Sequence, residues 1–296
     1  MSIDRNSLSR KISVVLPAKN EAGGLAQVLP KLRAMYEHAE LIVVDDGSRD
    51  DTGVVASKFA DKVVSHPYSK GNGAAIKSGA RAATREFLLF MDADGQHRPE
   101  DIELLLIPFV RDGLDMVVGA RSLEGQAGAH RALANGFYNR LASWMVGHRI
   151  GDLTSGFRVV RATKFRQFLY LLPNGFSYPT TSTMCFFRAG YSVAYVPIIA
   201  PNRIGRSHIR LFRDGARFVL IIFKIGTLYS PLKLFLPISV TFFLIGLSYY
   251  GYTFLSQHRF TNMSALLFVT SVLVFLIGLV SEQITALMFK DDSGGE

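Results

Sequence analysis

Two apolar runs near the C-terminus, residues 234–257 and 260–280, contain no Asp, Glu, Lys or Arg. Each exceeds the roughly 20 residues that an α-helix needs to cross the hydrocarbon layer of a bilayer. Both are therefore expected to be transmembrane helices, joined by a short loop around 256–262. A buried hairpin of core helices would need more protein than the chain offers to cover it. Two crossings return the C-terminal tail to the side of the N-terminal domain. Arg203, Arg206, Arg210, Arg213, Arg217, Lys224 and Lys233 precede the first span, whereas the loop between the spans holds only Arg259. Positive charge stays cytoplasmic, so the N-terminal domain and the tail are expected in the cytosol. The opening MSIDRNSLSRK carries charges and no apolar core, so no cleavable signal peptide is expected.

The net charge of +9 invites a nucleic-acid reading, but much of the positive charge borders the spans, where anionic lipid headgroups account for it better. No nucleic-acid partner is expected. Between 208 and 229, Arg210, Arg213, Arg217 and Lys224 fall on one helical face and Phe212, Phe218, Val219, Ile222 and Phe223 supply apolar surface. This pattern predicts a helix lying in the membrane interface, an amphipathic helix of the soluble domain being the alternative. The single cysteine, Cys185, excludes an intramolecular disulfide framework and fits a reducing compartment. The expected divisions are a soluble domain over 1–206, juxtamembrane helices over 207–231, a transmembrane hairpin over 232–289 and a tail over 290–296. Gly246, Gly251 and Gly278 in the spans could pack against other copies of the chain, which would make it a homo-oligomer.

In the soluble part, strand-like runs at 12–17, 41–45, 87–91 and 116–119 alternate with helix-period stretches at 24–38, 51–59, 72–83 and 99–111. That order predicts the α/β class with a mostly parallel sheet. Ligands of such sheets bind beyond the carboxyl ends of the strands. Three polar clusters fall there: Lys19, Asn20 and Glu21, then residues 45–50, then the segment FLLFMDADGQH at 87–97. In this last segment Asp92, Asp94 and Gln96 alternate, and on an extended chain alternating residues share one face. Three oxygen donors there suit Mg²⁺ or Mn²⁺, whose shell is completed by water and substrate phosphate. The implied partner is a nucleotide diphosphate. A solvated acidic turn would also end a strand this way.

Residues 69–80, SKGNGAAIKSGA, hold glycines that permit close backbone approach to phosphate or ribose. Ile76 stands where a dinucleotide fingerprint needs its third glycine, and no GxxxxGK[ST] occurs. No HExxH or paired CxxC appears, so zinc chemistry is not expected.

The ordered series VVLPAKNE, IVVDDGSRDDT, KGNGAAIKSGA, FMDADGQHRPEDI, VVGARS, GDLTSGFRVVRA and NRIGRSH, followed by two spans, resembles the inverting family 2 glycosyltransferases of the GT-A fold. Within them it is most similar to the polyprenyl-phosphate glycosyltransferases, including dolichol-phosphate mannose synthase-like enzymes. The resemblance implies a UDP-sugar or GDP-sugar donor, a polyprenyl phosphate acceptor and Mg²⁺ or Mn²⁺ on Asp92, Asp94 and Gln96. It further implies that Pro17, Ala18, Asn20, Glu21, Val44, Lys70, Gly71, Asp92 and Ala93 line the nucleotide pocket and that Asp46 contacts the base or ribose. Arg121, Arg131 and the stretch from Arg203 to Ser207 would hold the acceptor phosphate and the leaving diphosphate, with Asp94 and Asp152 completing the catalytic set.

Three positions depart from the family pattern: Asn135 in place of a frequent Ser, His208 in place of Lys, and Gly95 in place of a Leu found in some mannose synthases. No QxxRW element occurs, Trp144 being the only tryptophan, so one sugar per acceptor is expected. The two-span layout resembles the bacterial undecaprenyl-phosphate enzymes. A lipid alcohol acceptor such as diacylglycerol or ceramide would need Asp152 as a base, and a non-catalytic nucleotide-sugar-binding scaffold is the alternative outside enzymes.

Overall fold

The computed structural model describes residues 5–121, 129–175, 177–198, 220, 223, 226, 227 and 230–290. Side chains at 129–135, 137 and 288–290 are outside that description. Two compact units emerge, Met1–Trp144 with His148–Phe218, and Met145–Gly147 with Val219–Glu296.

The first unit is built on a seven-stranded sheet of order β3-β2-β1-β4-β6-β5-β7. The strands are β1 (Ile12–Ala18), β2 (Glu40–Asp45), β3 (Lys62–Ser65), β4 (Phe87–Phe90), β5 (Met116–Arg121), β6 (Arg158–Arg161) and β7 (Val193–Ile198). The helices of this unit are α1 (Arg5–Ser9), α2 (Ala22–Met35), α3 (Thr52–Ala56), α4 (Asn72–Ala82), α5 (Ile102–Arg111), α6 (Ala129–Val146), α7 (Ala162–Arg166) and α8 (Tyr178–Arg188). The expected parallel order holds for β3, β2, β1 and β4, and again for β5 with β7. It fails at β6, which runs antiparallel to both β4 and β5. The sheet is therefore mixed, with the alternating acidic strand ends on its parallel half.

The inner strands are apolar on both faces because helices cover both. In β1 and β2 the residues from Ile12 to Leu16 and from Glu40 to Val44 are all buried. Helix α4 approaches this layer closely because its inner face is small: Gly73, Ala74, Ala75, Gly79 and Ala80 are buried. A Cβ on Gly79 would sit 2.3 Å from Val15 and 3.2 Å from Val44. Phe87, Phe109 and Phe157 join the apolar side chains of α2 and α5 in the core on the opposite face.

The second unit contains α9 (Pro231–Gln257) and α10 (Asn262–Lys290). Both are long and apolar enough to cross a membrane, and only 11% and 17% of their most apolar stretches are buried. Little protein covers them, which removes the reading of a buried core hairpin. Small and polar residues hold the pair: Ser239 and Ser271 each donate to the other's carbonyl, at 2.9 and 3.0 Å. Gly246 lies against Leu267 and Phe268, and Gly278 against Phe235. The interfacial helix expected over 208–229 lies almost wholly outside the described residues.

Candidate active site

A cleft of about 440 Å³ opens beyond the carboxyl ends of β1, β2 and β4. Of the expected residues, Pro17, Ala18, Glu21, Asp46, Gly71, Asp92, Ala93 and Asp94 line it. Lys19 of the first polar cluster and Ser69, Asn72 and Ala75 of the glycine-bearing segment line it as well. A groove of about 520 Å³ lies at the opposite ends of the strands, among Arg10, Arg33, His38 and Arg85. There Asp61 is spent on Arg33 and Glu40 on Lys62, Ser13 and Thr84. Topology favours the first cleft.

Its walls are loops tied together by side chains. Asn20 adopts a left-handed conformation, φ 54°, and its side-chain oxygen accepts the Arg49 N–H at 2.8 Å. The Asn20 and Glu21 N–H groups donate to Ser48 and Thr52, so the β1 turn is stitched to the loop after β2. Asp45 and Asp50 build that loop by accepting the N–H groups of Ser48 and Thr52. Asn20 thus fixes the wall and is not among the lining residues.

Asp46 was expected against base or ribose, but its carboxylate is filled by the chain itself. Oδ1 accepts from His66 Nδ1 at 2.7 Å and the Lys70 N–H at 2.8 Å. Oδ2 accepts from the Ser69 hydroxyl at 2.7 Å and the Gly71 N–H at 2.9 Å. Burial alone would raise its pKa, but His66, Ser69 and the two backbone donors hold it below the ordinary carboxylate range. His66, a residue the sequence reading missed, extends the link to Ser78 of α4 at 2.9 Å. Two further expectations are corrected here. Val44 is wholly buried and packs against α4, so its side chain does not reach the cleft. Lys70 is exposed, its ammonium 5.9 Å from the Tyr68 ring, and contributes its backbone N–H to Asp46.

The glycines at 71 and 73 serve protein packing, where the sequence suggested phosphate approach. A Cβ on Gly73 would lie 1.9 Å from the Pro173 carbonyl, and one on Gly71, φ 104°, 2.5 Å from that of Asn174. The Gly73 and Ala74 N–H groups at the start of α4 donate to the carbonyls of Gly175 and Asn174. The helix N-terminus is thereby satisfied by the chain.

The acidic segment after β4 is a turn, not a continued strand. β4 ends at Phe90, Gly95 is left-handed at φ 76°, and the Gln96 N–H donates to Asp94 Oδ1 at 3.1 Å. Asp92 and Asp94 both line the cleft by virtue of this turn, and Gln96, half-buried in it, is not among the lining residues. The alternation argument therefore fails for Gln96. His97 Nδ1 accepts the Asp92 N–H at 3.1 Å and its ring stacks on Phe157 at 4.9 Å. The same Nδ1 lies 3.8 Å from the Asp92 carboxylate.

Arg121, at the end of β5, forks onto Asp152, with Nε 2.9 Å from Oδ2 and Nη2 3.2 Å from Oδ1. Asp152 also accepts the N–H groups of Thr154 and Ser155 and the Thr154 hydroxyl. Burial works to raise its pKa, yet Arg121 and the Thr154 donors hold it low. Burial likewise pulls the Arg121 pKa down, and Asp152 together with the charge of Asp92 carries it up. Arg131 lies on α6 with its side chain outside the described residues; Arg203 and Ser207 lie wholly outside them. The donor set suits a hard cation: two cleft carboxylates with room for phosphate oxygens and water, and no cluster of three His, Cys, Asp or Glu among the described residues.

Comparison with known proteins agrees with this geometry. Residues 13–169 match the model of glycosyl transferase family 2, and residues 230–287 match the GtrB C-terminal hairpin. Polyprenol monophosphomannose synthase of Mycolicibacterium smegmatis is 30% identical over 66% of this chain and 79% of that protein. Undecaprenyl-phosphate mannosyltransferase of Micrococcus luteus is 29% identical over 65% and 84%. An uncharacterised protein of Methanocaldococcus jannaschii is 32% identical over 50% of this chain and 63% of its own length. In fold, glucosyl-3-phosphoglycerate synthase of Mycobacterium tuberculosis, solved with Mn²⁺ and UDP, superposes with a TM-score of 0.61, 22% identity and coverage of 76% and 85%. The chain belongs to glycosyltransferase family 2.

Proposed function

We propose that this enzyme transfers one sugar, with inversion, from a nucleotide diphosphate sugar to a polyprenyl phosphate, undecaprenyl phosphate being the expected carrier. The product would serve cell-envelope glycan or glycoconjugate modification, made at the cytosolic face of the bacterial inner membrane. The observation that carries the reading is the union in one chain of a family 2 domain bearing the Asp92 and Asp94 cleft with a matched apolar hairpin. Relatives named for polyprenol, undecaprenyl-phosphate and dolichyl-phosphate transfer support the acceptor class.

A phosphate oxygen of the acceptor attacks the anomeric carbon, the bond from that carbon to the diphosphate breaks, and the nucleoside diphosphate leaves. A phosphate monoester is largely dianionic at neutral pH, its second pKa being about 6. It needs no strong base, and none is required of Asp152. That residue's saturation by Arg121, Thr154 and Ser155 opposes the lipid-alcohol alternative, which needs a proton acceptor. Asp92 and Asp94 would hold Mg²⁺ or Mn²⁺. When bound, the cation supplies positive charge to the diphosphate. Arg121, whose charge acts on Asp92, would offset negative charge near the diphosphate.

The test incubates the full-length protein with Mn²⁺ or Mg²⁺, undecaprenyl phosphate and labelled UDP- and GDP-sugars. Label is expected in the lipid phase from one donor, and not with Asp94→Ala. Nucleotide binding without transfer from any donor would refute the proposal.

A further inference from the structure

Arg158 is the most deeply buried ion in the described structure and has no charged partner. Its exposure is 0%, and among the described residues no carboxylate lies within ion-pair distance of it. Its donors meet only neutral acceptors: the Pro179 carbonyl at 3.0 Å, Ser182 Oγ at 2.8 Å, Thr183 Oγ1 at 3.1 Å and the Ser155 carbonyl. Among the described residues Nε has no hydrogen-bond partner, and neither do the buried Ser155 hydroxyl and Tyr195 hydroxyl. An isolated buried charge is expensive unless its hydrogen bonds are met. The sequence meets most of them with the hydroxyls of α8, a helix whose residues from Tyr178 to Phe186 are all buried. An acid at any of these hydroxyl positions would cancel the charge; serine and threonine solvate it and leave it standing. Arginine keeps its proton in proteins, so the cation is permanent.

The register places Arg158 near the cleft end of β4. Arg158 pairs with Phe90 of β4, two residues before Asp92. Beyond the end of that ladder Gly156 comes up against Asp92, where a Cβ would lie 3.2 and 3.3 Å from the two carboxylate oxygens. Tyr178 links the two points: its ring is 5.7 Å from the Arg158 guanidinium, and its hydroxyl donates to the Gly156 carbonyl at 3.0 Å. Asp152 is already neutralised by Arg121. Arg158 is thus a second positive charge, beyond the Arg121–Asp152 pair, whose field reaches Asp92.

We propose that Arg158 is a positioning residue which acts on Asp92 through its field, lowering the affinity of the Asp92 and Asp94 pair for a free divalent cation and favouring entry of an anionic diphosphate. The inference rests on reading those two acids as cation ligands. Removing the charge leaves this end of the cleft one unit more negative.

The sign of the effect separates this role from a structural one. Mn²⁺ binding to the full-length protein in detergent, without donor or acceptor, is titrated by electron paramagnetic resonance. Arg158→Met is expected to bind Mn²⁺ about 5-fold or more tightly than wild type, since charges this close interact strongly in a protein interior. Metal-free UDP or GDP should bind more weakly. Arg158→Lys, which keeps the charge, should restore both values. Ser182→Asp neutralises the charge with Arg158 in place, and it decides the matter if Arg158→Met fails to fold. Weaker or unchanged Mn²⁺ affinity in the folded charge-removing variant would assign Arg158 to packing and overturn the inference. Wild-type protein that binds no Mn²⁺ would overturn the cation-site reading with it, whereas sugar transfer by wild type with an unmoved Mn²⁺ affinity in the variants would remove only the role of Arg158.

Discussion

Replacing Asp46 by Asn keeps its shape and removes its charge, so the outcome reports whether this acid holds the cleft wall or the nucleotide. The carboxylate now accepts four hydrogen bonds, two on each oxygen. An amide offers one oxygen, so two of the four donors face its NH₂ group. If these are Ser69 and Gly71, the hydroxyl can turn to accept and the Gly71 N–H is stranded; if they are His66 and Lys70, the imidazole can change tautomer and the Lys70 N–H is stranded. A stranded buried donor costs about 1–3 kcal/mol, and the two or three surviving bonds each lose their charge assistance, roughly 0.5 kcal/mol apiece. The expected loss is therefore about 3 kcal/mol, divided between global stability and local opening of residues 66–71. Because Ser69 and Gly71 line the cleft, nucleotide affinity should fall about 10-fold or more, equivalent to about 1.4 kcal/mol. Urea unfolding and calorimetric titration with UDP and GDP measure the two losses. Asp46 has a depressed pKa, so its contribution is complete above the ordinary carboxylate value and is lost as pH falls through the lower folded value. The variant and wild type should thus converge in acid. Loss of nucleotide affinity with wild-type stability would refute this reasoning and return Asp46 to a direct contact with base or ribose.

Glu40, at the far end of β2, is held down to a pKa of about 2: burial pushes the other way, but Lys62, Ser13 and Thr84 outweigh it. Glu40→Gln should lose on the order of 2–3 kcal/mol at pH 7, and the difference from wild type should close as pH falls from about 4.5 towards about 2, as urea midpoints across that window would show. Gly73→Ala should lower stability by about 1–3 kcal/mol, because its Cβ overlaps the Pro173 carbonyl, whereas Gly23→Ala, with open space around its Cβ, should gain about 0.5–1 kcal/mol. Thermal melts of the pair check both signs. Neutralising Arg210, Arg213 and Arg217 together should raise the KM for polyprenyl phosphate on the order of 100-fold, each charge near an anionic surface being worth about 1 kcal/mol, and leave the donor KM unmoved. Equal changes in both would count against a lipid-facing role.

Four strands were legible because β1, β2, β4 and β5 are continuous apolar runs buried on both faces. The other three hide their nature for separate physical reasons. β3, KVVS, is a four-residue edge strand whose residues are only partly covered. β7, VAYVPI, contains Pro197, which an edge strand tolerates and a central one does not. β6, RVVR, begins with a charged residue that looks like a surface position until the hydroxyls of α8 are folded around it. Its reversed direction has no signature in the alternation of strands and helices. The hairpin was legible for the opposite reason: its exterior is apolar, and composition alone records that.

The acids of the site make a sharper case. In the sequence Asp45, Asp46, Asp50, Asp92, Asp94 and Asp152 are equivalent oxygen donors near strand ends. Hydrogen bonding divides them. Asp45 and Asp50 close their own loop, Asp46 gathers residues 66–71, and Asp152 is bound to Arg121 and the 154–155 turn. Asp92 and Asp94 remain on the cleft surface because β4 stops at Phe90 and the left-handed Gly95 turns the chain. No residue count could separate builders from binders, since each choice depends on which backbone N–H groups the fold leaves without partners. The consequence is chemical. Asp152, the acid that a lipid-alcohol acceptor would need as a base, is the one bound to Arg121 and held low in pKa, and a carboxylate held in that way is poorly suited to take a proton.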